Sequence, residues 1–288
     1  MTAPEALADA FEAQRPHLLR VAYGQLGSLA EAEDVVQEAW LRLQRVDAEE
    51  VRDLRAWLTT AVNRLALDAL RSARTRRERY VGPWLPEPVV DADPADRVTL
   101  DESVGMALLV VLETLSAGER VAFVMHDVFG YDFAAVAEVL GTSQEAARQQ
   151  ASRARRRVRE GRPRFPATRE QQRAIVEAFL AAAGEGDADA LLGLLAPDAV
   201  LRADSGGMVT APRKPIEGAA KVARTTIGLA RTGGKGATVR IVDVNGMPGL
   251  FAEGIDGVAT VVAFTVDDGR ITAIDVTRNP EKLRDLPS

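Results

Sequence analysis

The chain has 288 residues, 36 basic against 42 acidic, a formal charge of -6 and 47% hydrophobic residues. That composition excludes a disordered polymer, supplies material for two or three packed domains and, as a bulk figure, speaks against binding a polyanion. Cysteine is absent and the only histidines are His17 and His126, so disulfides, thiolate nucleophiles and Cys-ligated zinc or iron–sulfur sites are excluded, and no metal or cofactor is expected.

Residues 1–54 carry five basic and eleven acidic side chains. Phe11, Leu18, Leu19, Ala22, Tyr23 and Leu26 recur at helical spacing, Gly27 breaks the run, and Ser28 is placed to cap a second helix through Gln37, Trp40 and Leu43. The stretch Ala30 to Trp40 makes that helix acidic, a surface suited to a basic protein partner. No basic-then-apolar leader opens the chain and no later run reaches the roughly 18 apolar residues of a membrane span, so a cytoplasmic protein without a membrane partner is expected.

The sign reverses over residues 55–79, with seven basic and two acidic residues on a helix that runs from Leu54 to Arg79. An acidic stretch with Pro83, Pro86, Pro88 and Pro94 then reads as a linker. Helices resume from Glu102 to about Arg159. Residues 80–147 carry two basic and twelve acidic residues, and residues 148–164 eight and one. Within this part Phe133 to Leu140 is a short amphipathic helix, Gly141 and Thr142 turn the chain, and Ser143 caps a second helix from Gln144 to Val158. Such a pair is a helix-turn-helix, whose second helix enters a major groove. Arg148, Gln149, Ser152 and Arg153 share one face, as base reading requires, and Arg155, Arg156, Arg157 and Arg159 supply charge for phosphates.

From Thr168 the pattern changes to two helices (Arg169 to Ala183 and Ala188 to Leu195), a third (Ile216 to Arg231) and β-rich sequence from Ala237 onward, with a hairpin turn at Asp267-Asp268-Gly269. The bulk charge of -6 is therefore a cancellation: two purely arginine blocks alternate with acidic ones, and all four lysines lie in the last third.

This ordered set resembles the bacterial extracytoplasmic-function sigma factors over roughly the first 160 residues. Ala30 to Leu43 resembles the core-binding part of region 2, Arg55 to Arg79 its promoter-melting and −10-reading part, and Glu102 to Arg159 region 4. The resemblance implies RNA polymerase core (its β′ clamp helices and β flap) and promoter DNA as partners. It implies that Asn63 reads a −10 base above Trp57, with Arg64, Arg71 and Arg74 beside them. Ser143, Arg148, Gln149, Ser152, Arg153, Arg155 and Arg156 would face the −35 element, and Asp34, Gln37 and Glu38 would dock on the clamp helices.

The last third is similar to a SnoaL-like, NTF2-type α+β cone, and sigma factors that carry this extension share three motifs. The linker motif is complete here as Trp84-Leu85-Pro86-Glu87-Pro88. The terminal motif is nearly so, as Asn279-Pro280-Glu281-Lys282-Leu283. The middle motif departs: Asp204-Ser205-Gly206-Gly207-Met208 lacks one glycine and the lysine. The implied organisation is multidomain: two all-α sigma domains (1–79 and 101–164), a linker (80–100) and an α+β regulatory cone (165–288).

The reading that follows is a sigma factor modulated in cis by its cone, which packs on the linker because Trp84 and Leu85 need burial. SnoaL-like domains include cyclases and isomerases that move protons with an Asp or His in an apolar pocket. This cone has no histidine, which weighs against an enzyme and leaves Asp204, Asp256 and Asp275 as its candidate carboxylates. No catalytic residue is assigned. A cone that retains such an activity or senses a small ligand, and an operator-binding regulator independent of polymerase, are the alternatives.

Overall fold

The computed structural model describes residues 3–46, 51–77, 80–91, 105–233, 237–255, 257–284 and 286. They form two compact units. The first is helical. Helix α1 (Ala3–Leu26) ends where Gly27 takes a positive φ of 67°, and α2 (Leu29–Leu43) starts where the Ser28 hydroxyl accepts from the Glu31 amide. The expected break and cap are therefore both present. Helix α3 (Leu54–Arg77) completes a three-helix core around Leu18, Tyr23, Leu26, Val36, Leu58 and Val62, with Phe11 and Trp40 in ring contact at 4.8 Å.

The same unit continues through α4 (Met106–Leu112), α5 (Ala117–Phe123), a π-helical turn (Val124–Val128), α6 (Phe133–Leu140) and α7 (Gln144–Gly161). Ser116 and Glu119 make a reciprocal capping box at the start of α5. Asp132 caps α6, and Gly141 at φ 64° closes it. Ala147, Ala151, Ala154 and Val158 are buried along one stripe of α7, at the spacing that turns its arginines outward.

The second unit is α+β. Helices α8 (Arg169–Glu185), α9 (Ala188–Leu194) and α10 (Ala219–Gly233) cover one face of a sheet made of β2 (Leu195–Asp204), β3 (Ile216–Glu217), β4 (Thr238–Val244), β5 (Met247–Ile255), β6 (Val258–Asp267) and β7 (Arg270–Thr277). A seventh strand, β1 (Val90–Asp91), comes from the linker and pairs antiparallel with the edge of β4, giving the order β1-β4-β5-β6-β7-β2-β3. Among the described residues, only β2 and β7 run parallel. Val176, Phe179, Leu201, Leu250, Phe264 and Ile274 fill the interior between helices and sheet.

One sequence expectation needs correction. The third helix was expected to begin at Ile216, but Ile216 and Glu217 pair with Leu201 and Val200, and α10 starts only after Gly218, whose φ of 94° breaks the helix. In the segment from Tyr80 to Asp91, Leu85, Pro86 and Pro88 are buried, and the stretch belongs to the α+β unit.

Candidate functional site

Three groups of residues carry chemistry. On α2, Asp34 and Gln37 are exposed and Glu38 half-exposed, opposite the buried Ala32, Val35, Val36 and Ala39. Glu38 pairs along the helix with Arg42 at 2.8 Å. The resulting face is acidic and solvent-borne.

The second group surrounds Trp57. A groove of about 730 Å³ is lined by Arg42, Arg52, Trp57, Thr60 and Arg64, with Glu138 of α6 at its side. Three guanidinium groups around a half-buried indole match what single-stranded nucleic acid needs, cations along the backbone and a ring for a base to stack on. Arg42 and Arg52 escaped the sequence reading because they lie in the net-acidic block of residues 1–54, where block charge hides them. Asn63, by contrast, is fully buried: its Nδ2 donates to the Thr59 carbonyl at 2.7 Å, and its Oδ1 accepts from Gln25 Nε2. The structure thus places the implied base reader behind the surface and not in the groove. Arg71 is exposed and meets Asp68 at 3.3 Å, while the side chain of Arg74 lies outside the described residues.

On α7, Ser143 caps the helix through the Ala146 amide at 3.2 Å, and Arg148 sits 5.3 Å above the Phe133 ring. Gln149, Ser152 and Arg156 are exposed on the same helix. Arg153 and Arg157 both donate to Glu119, at 3.1 and 2.8 Å, and Arg155 pairs with Asp127 at 2.5 Å. Burial pushes the Glu119 carboxyl up, but hydrogen bonds from Ser116 and Arg153 and the charge of Arg157 outweigh it and hold the group below the usual carboxylate range. One carboxylate therefore caps α5 and holds two arginines of α7.

The third group joins all three motifs of the C-terminal unit. Side chains alternate along β2, so Leu201 and Ala203 enter the core while Arg202 and Asp204 take the opposite face. Arg202 grips Asp275, its register partner on β7, at 2.7 and 3.1 Å. Burial raises the Asp275 carboxyl, and Arg202 only partly offsets this. Asp204, at the end of the strand, is buried and accepts from the Tyr80 hydroxyl at 2.5 Å, the Leu85 amide at 2.9 Å, the Gly206 amide at 3.1 Å and Lys282 Nζ at 2.7 Å.

Lys282 also donates to the Leu85 carbonyl and lies 3.9 Å over the Trp84 ring. Asn279 caps the terminal 3-10 turn (Pro280–Lys282) through the Glu281 amide, donates its Nδ2 to the Tyr80 hydroxyl at 2.8 Å, and precedes the buried Leu283. Burial, then the hydrogen bond and charge of Asp204, push the Tyr80 phenol far up, so it stays a donor. The lysine that meets this carboxylate is Lys282 of the terminal motif. Gly206 and Gly207 adopt φ 61° and 75°, and a Cβ on Gly207 would stand 2.9 Å from Val81. Tyr80 was missed by the sequence reading, since it precedes the linker motif and only its partner 124 residues later gives it a role. Glu87 is half-buried on the same segment, and the Val89 amide donates to Asn245 at 3.1 Å. Asp256 lies outside the described residues. Among the described residues no cluster of His, Asp or Glu is arranged to hold a metal, and no helix is long and apolar enough to cross a membrane.

Comparison with known proteins gives a consistent picture. Residues 10–76 match the model of Sigma-70 region 2, and residues 105–158 that of Sigma-70, region 4. The chain is 45% identical over 296 residues to the ECF RNA polymerase sigma factor SigJ of Mycobacterium tuberculosis, covering 96% of this chain and 93% of that protein. It is 36% identical over 291 residues to the probable ECF RNA polymerase sigma factor SigI of the same organism, covering 99% and 98%. The crystal structure of M. tuberculosis SigJ superimposes with a TM-score of 0.81 at 41% identity, covering 97% of this chain and 99% of that one.

Proposed function

Because the chain belongs to the extracytoplasmic-function RNA polymerase sigma factors, a family that binds polymerase core and starts transcription at promoters, we propose that its cone modulates that activity in cis by gripping the linker between its two DNA-reading regions. The observation that carries this reading is Asp204: one buried carboxylate receives the Tyr80 hydroxyl and the Leu85 amide from the linker, and Lys282 from the far end of the cone. Anchoring Tyr80 to Asp91 takes twelve residues out of the chain that can vary in extension between α3 and α4. The reach between the −10 and −35 readers then depends on whether the anchor holds.

Within the same reading, Asp34, Gln37 and Glu38 present the acidic face that docks on the β′ clamp helices, and region 4 docks on the β flap. Arg64 and Trp57 meet the melted −10 strand. Ser143, Arg148, Gln149, Ser152, Arg153, Arg155 and Arg156 meet the −35 duplex, in the cytoplasm where polymerase works. The carboxylates of the cone have structural partners, four donors on Asp204 and Arg202 on Asp275, which supports a regulatory cone over a proton-transferring one.

The test is run-off transcription with purified core on promoters whose −35 to −10 spacing is varied base pair by base pair. Wild type should show a sharp optimum, and Asp204→Ala a broader one. A version ending near Arg164, which lacks Asp204 and Lys282 altogether, should follow the Asp204→Ala profile. Identical spacing profiles for all three would overturn the role of the anchor, and absence of any promoter-dependent transcript would overturn the whole reading.

A further inference from the structure

The groove around Trp57 is not empty of acid. Glu138, at the end of the first helix of the helix-turn-helix, lies against it, and Arg64 Nη2 donates both to the Glu138 backbone carbonyl at 3.1 Å and to its carboxylate at 3.4 Å. The other acid of the groove, Asp53, is already occupied as the cap of α3 through the Ala56 amide at 3.0 Å. We propose, on the basis of the sigma-factor reading, that region 4 closes the melted-strand groove of region 2, with the carboxylate and the backbone carbonyl of Glu138, near the end of α6, holding Arg64 where a DNA phosphate would otherwise bind.

Two further contacts hold the same closure. Arg120 of α5, only 3% exposed, donates from Nη1 to the Gln25 carbonyl of α1 at 3.1 Å and to Glu113 at 2.5 Å. The side chain of that same Gln25 occupies Asn63. His17 of α1 shares a 2.6 Å hydrogen bond with the Tyr131 hydroxyl, just before α6. Region 4 therefore touches region 2 in the groove, behind it and beside it, and one contact runs through Gln25 to the buried asparagine.

The contacts differ in strength, and the difference is what makes a gate. Arg64 and Glu138 keep 52% and 59% of their side chains exposed, so their pairing is a weak one that a phosphate can replace. Arg120 is buried and supports the closed arrangement. A helix C-terminus attracts a cation, so the end of α6 adds its carbonyl dipoles to the competition for Arg64.

The experiment measures binding of a fluorescein-labelled mixed-sequence 12-nucleotide DNA single strand to the full-length chain by anisotropy, at low salt, for wild type, Glu138→Gln, Arg64→Ala and the double variant. Glu138 is exposed, so its replacement leaves the fold in place, which circular dichroism checks. Removing the carboxylate should tighten binding about two- to five-fold, and the gain should vanish in the Arg64→Ala background. An unchanged affinity, or a gain that persists without Arg64 and so reflects only lower net charge, overturns the proposal. Transcription with core is run in parallel on the wild-type chain, so that a failed gate and a failed sigma assignment give separate results.

Discussion

Asp204→Ala is the sharpest perturbation of the linker anchor. The side chain of Asp204 has 0% exposure and that of Lys282 11%, so removing the carboxylate strands a buried ammonium group, a loss of about 3–5 kcal/mol for buried pairs broken on one side. The amides of Leu85 and Gly206 and the Tyr80 hydroxyl lose an acceptor as well, but these losses share one site and do not add. Taking the lower figure, about 3 kcal/mol, local opening of the linker becomes more frequent by a factor on the order of 100. Hydrogen exchange reads this directly, because the Leu85 amide donates to Asp204 Oδ2 whereas the Val89 amide donates to Asn245. Leu85 should lose about two orders of magnitude of protection, with Val89 and β1 as internal controls that keep theirs. If Leu85 exchanges at the wild-type rate in the variant, the carboxylate does not hold the linker and the energetic argument fails.

Other outcomes follow from single contacts. Gly207→Ala places a Cβ at φ 75° and 2.9 Å from Val81, so it should cost about 1–2 kcal/mol of stability and lower the melting temperature of the α+β unit in a thermal scan. Gln25→Leu leaves the buried Asn63 Oδ1 without its donor, a loss of about 1–3 kcal/mol visible as a lower urea midpoint with unchanged slope. Because the native Glu119 carboxyl is held below its ordinary value, its contribution is present above the unfolded carboxylate pKa of about 4.3 and lost as pH falls through the native value. Acid unfolding followed by circular dichroism should therefore begin at a higher pH in Arg153→Ala/Arg157→Ala than in wild type. Glu119→Gln should flatten that difference.

Local features were legible because the residues that make them are neighbours. The Ser28 and Ser143 caps, the Gly141 turn and the alanine stripe of α7 are written within one or two helical turns, and the structure has them. Charge counting by block found the arginines of α3 and α7, yet passed over Arg42 and Arg52, which reach the Trp57 groove from acidic surroundings. The short strands β1 and β3 have two residues each and exist only through the edges they pair with, which no local pattern announces. The anchor at Asp204 was visible as motifs but not as contacts, since its partners stand 78, 119 and 124 residues away. The burial of Asn63 was hidden for the same reason: the amide that claims it comes from Gln25, on another helix.

The distance along the chain between Leu85 and Lys282, 197 residues, also sets an order in time. At about 5–20 residues per second, the ribosome needs roughly 10–40 s after making the linker before it makes the lysine that clasps it. The helices through α7 are complete well within that interval. The helical unit is therefore finished before Lys282 exists, and the contact of Lys282 with Asp204 closes only once the terminal motif has been made. Any pause in translating the α+β unit lengthens the time during which the chain carries its sigma helices without the Lys282–Asp204 contact.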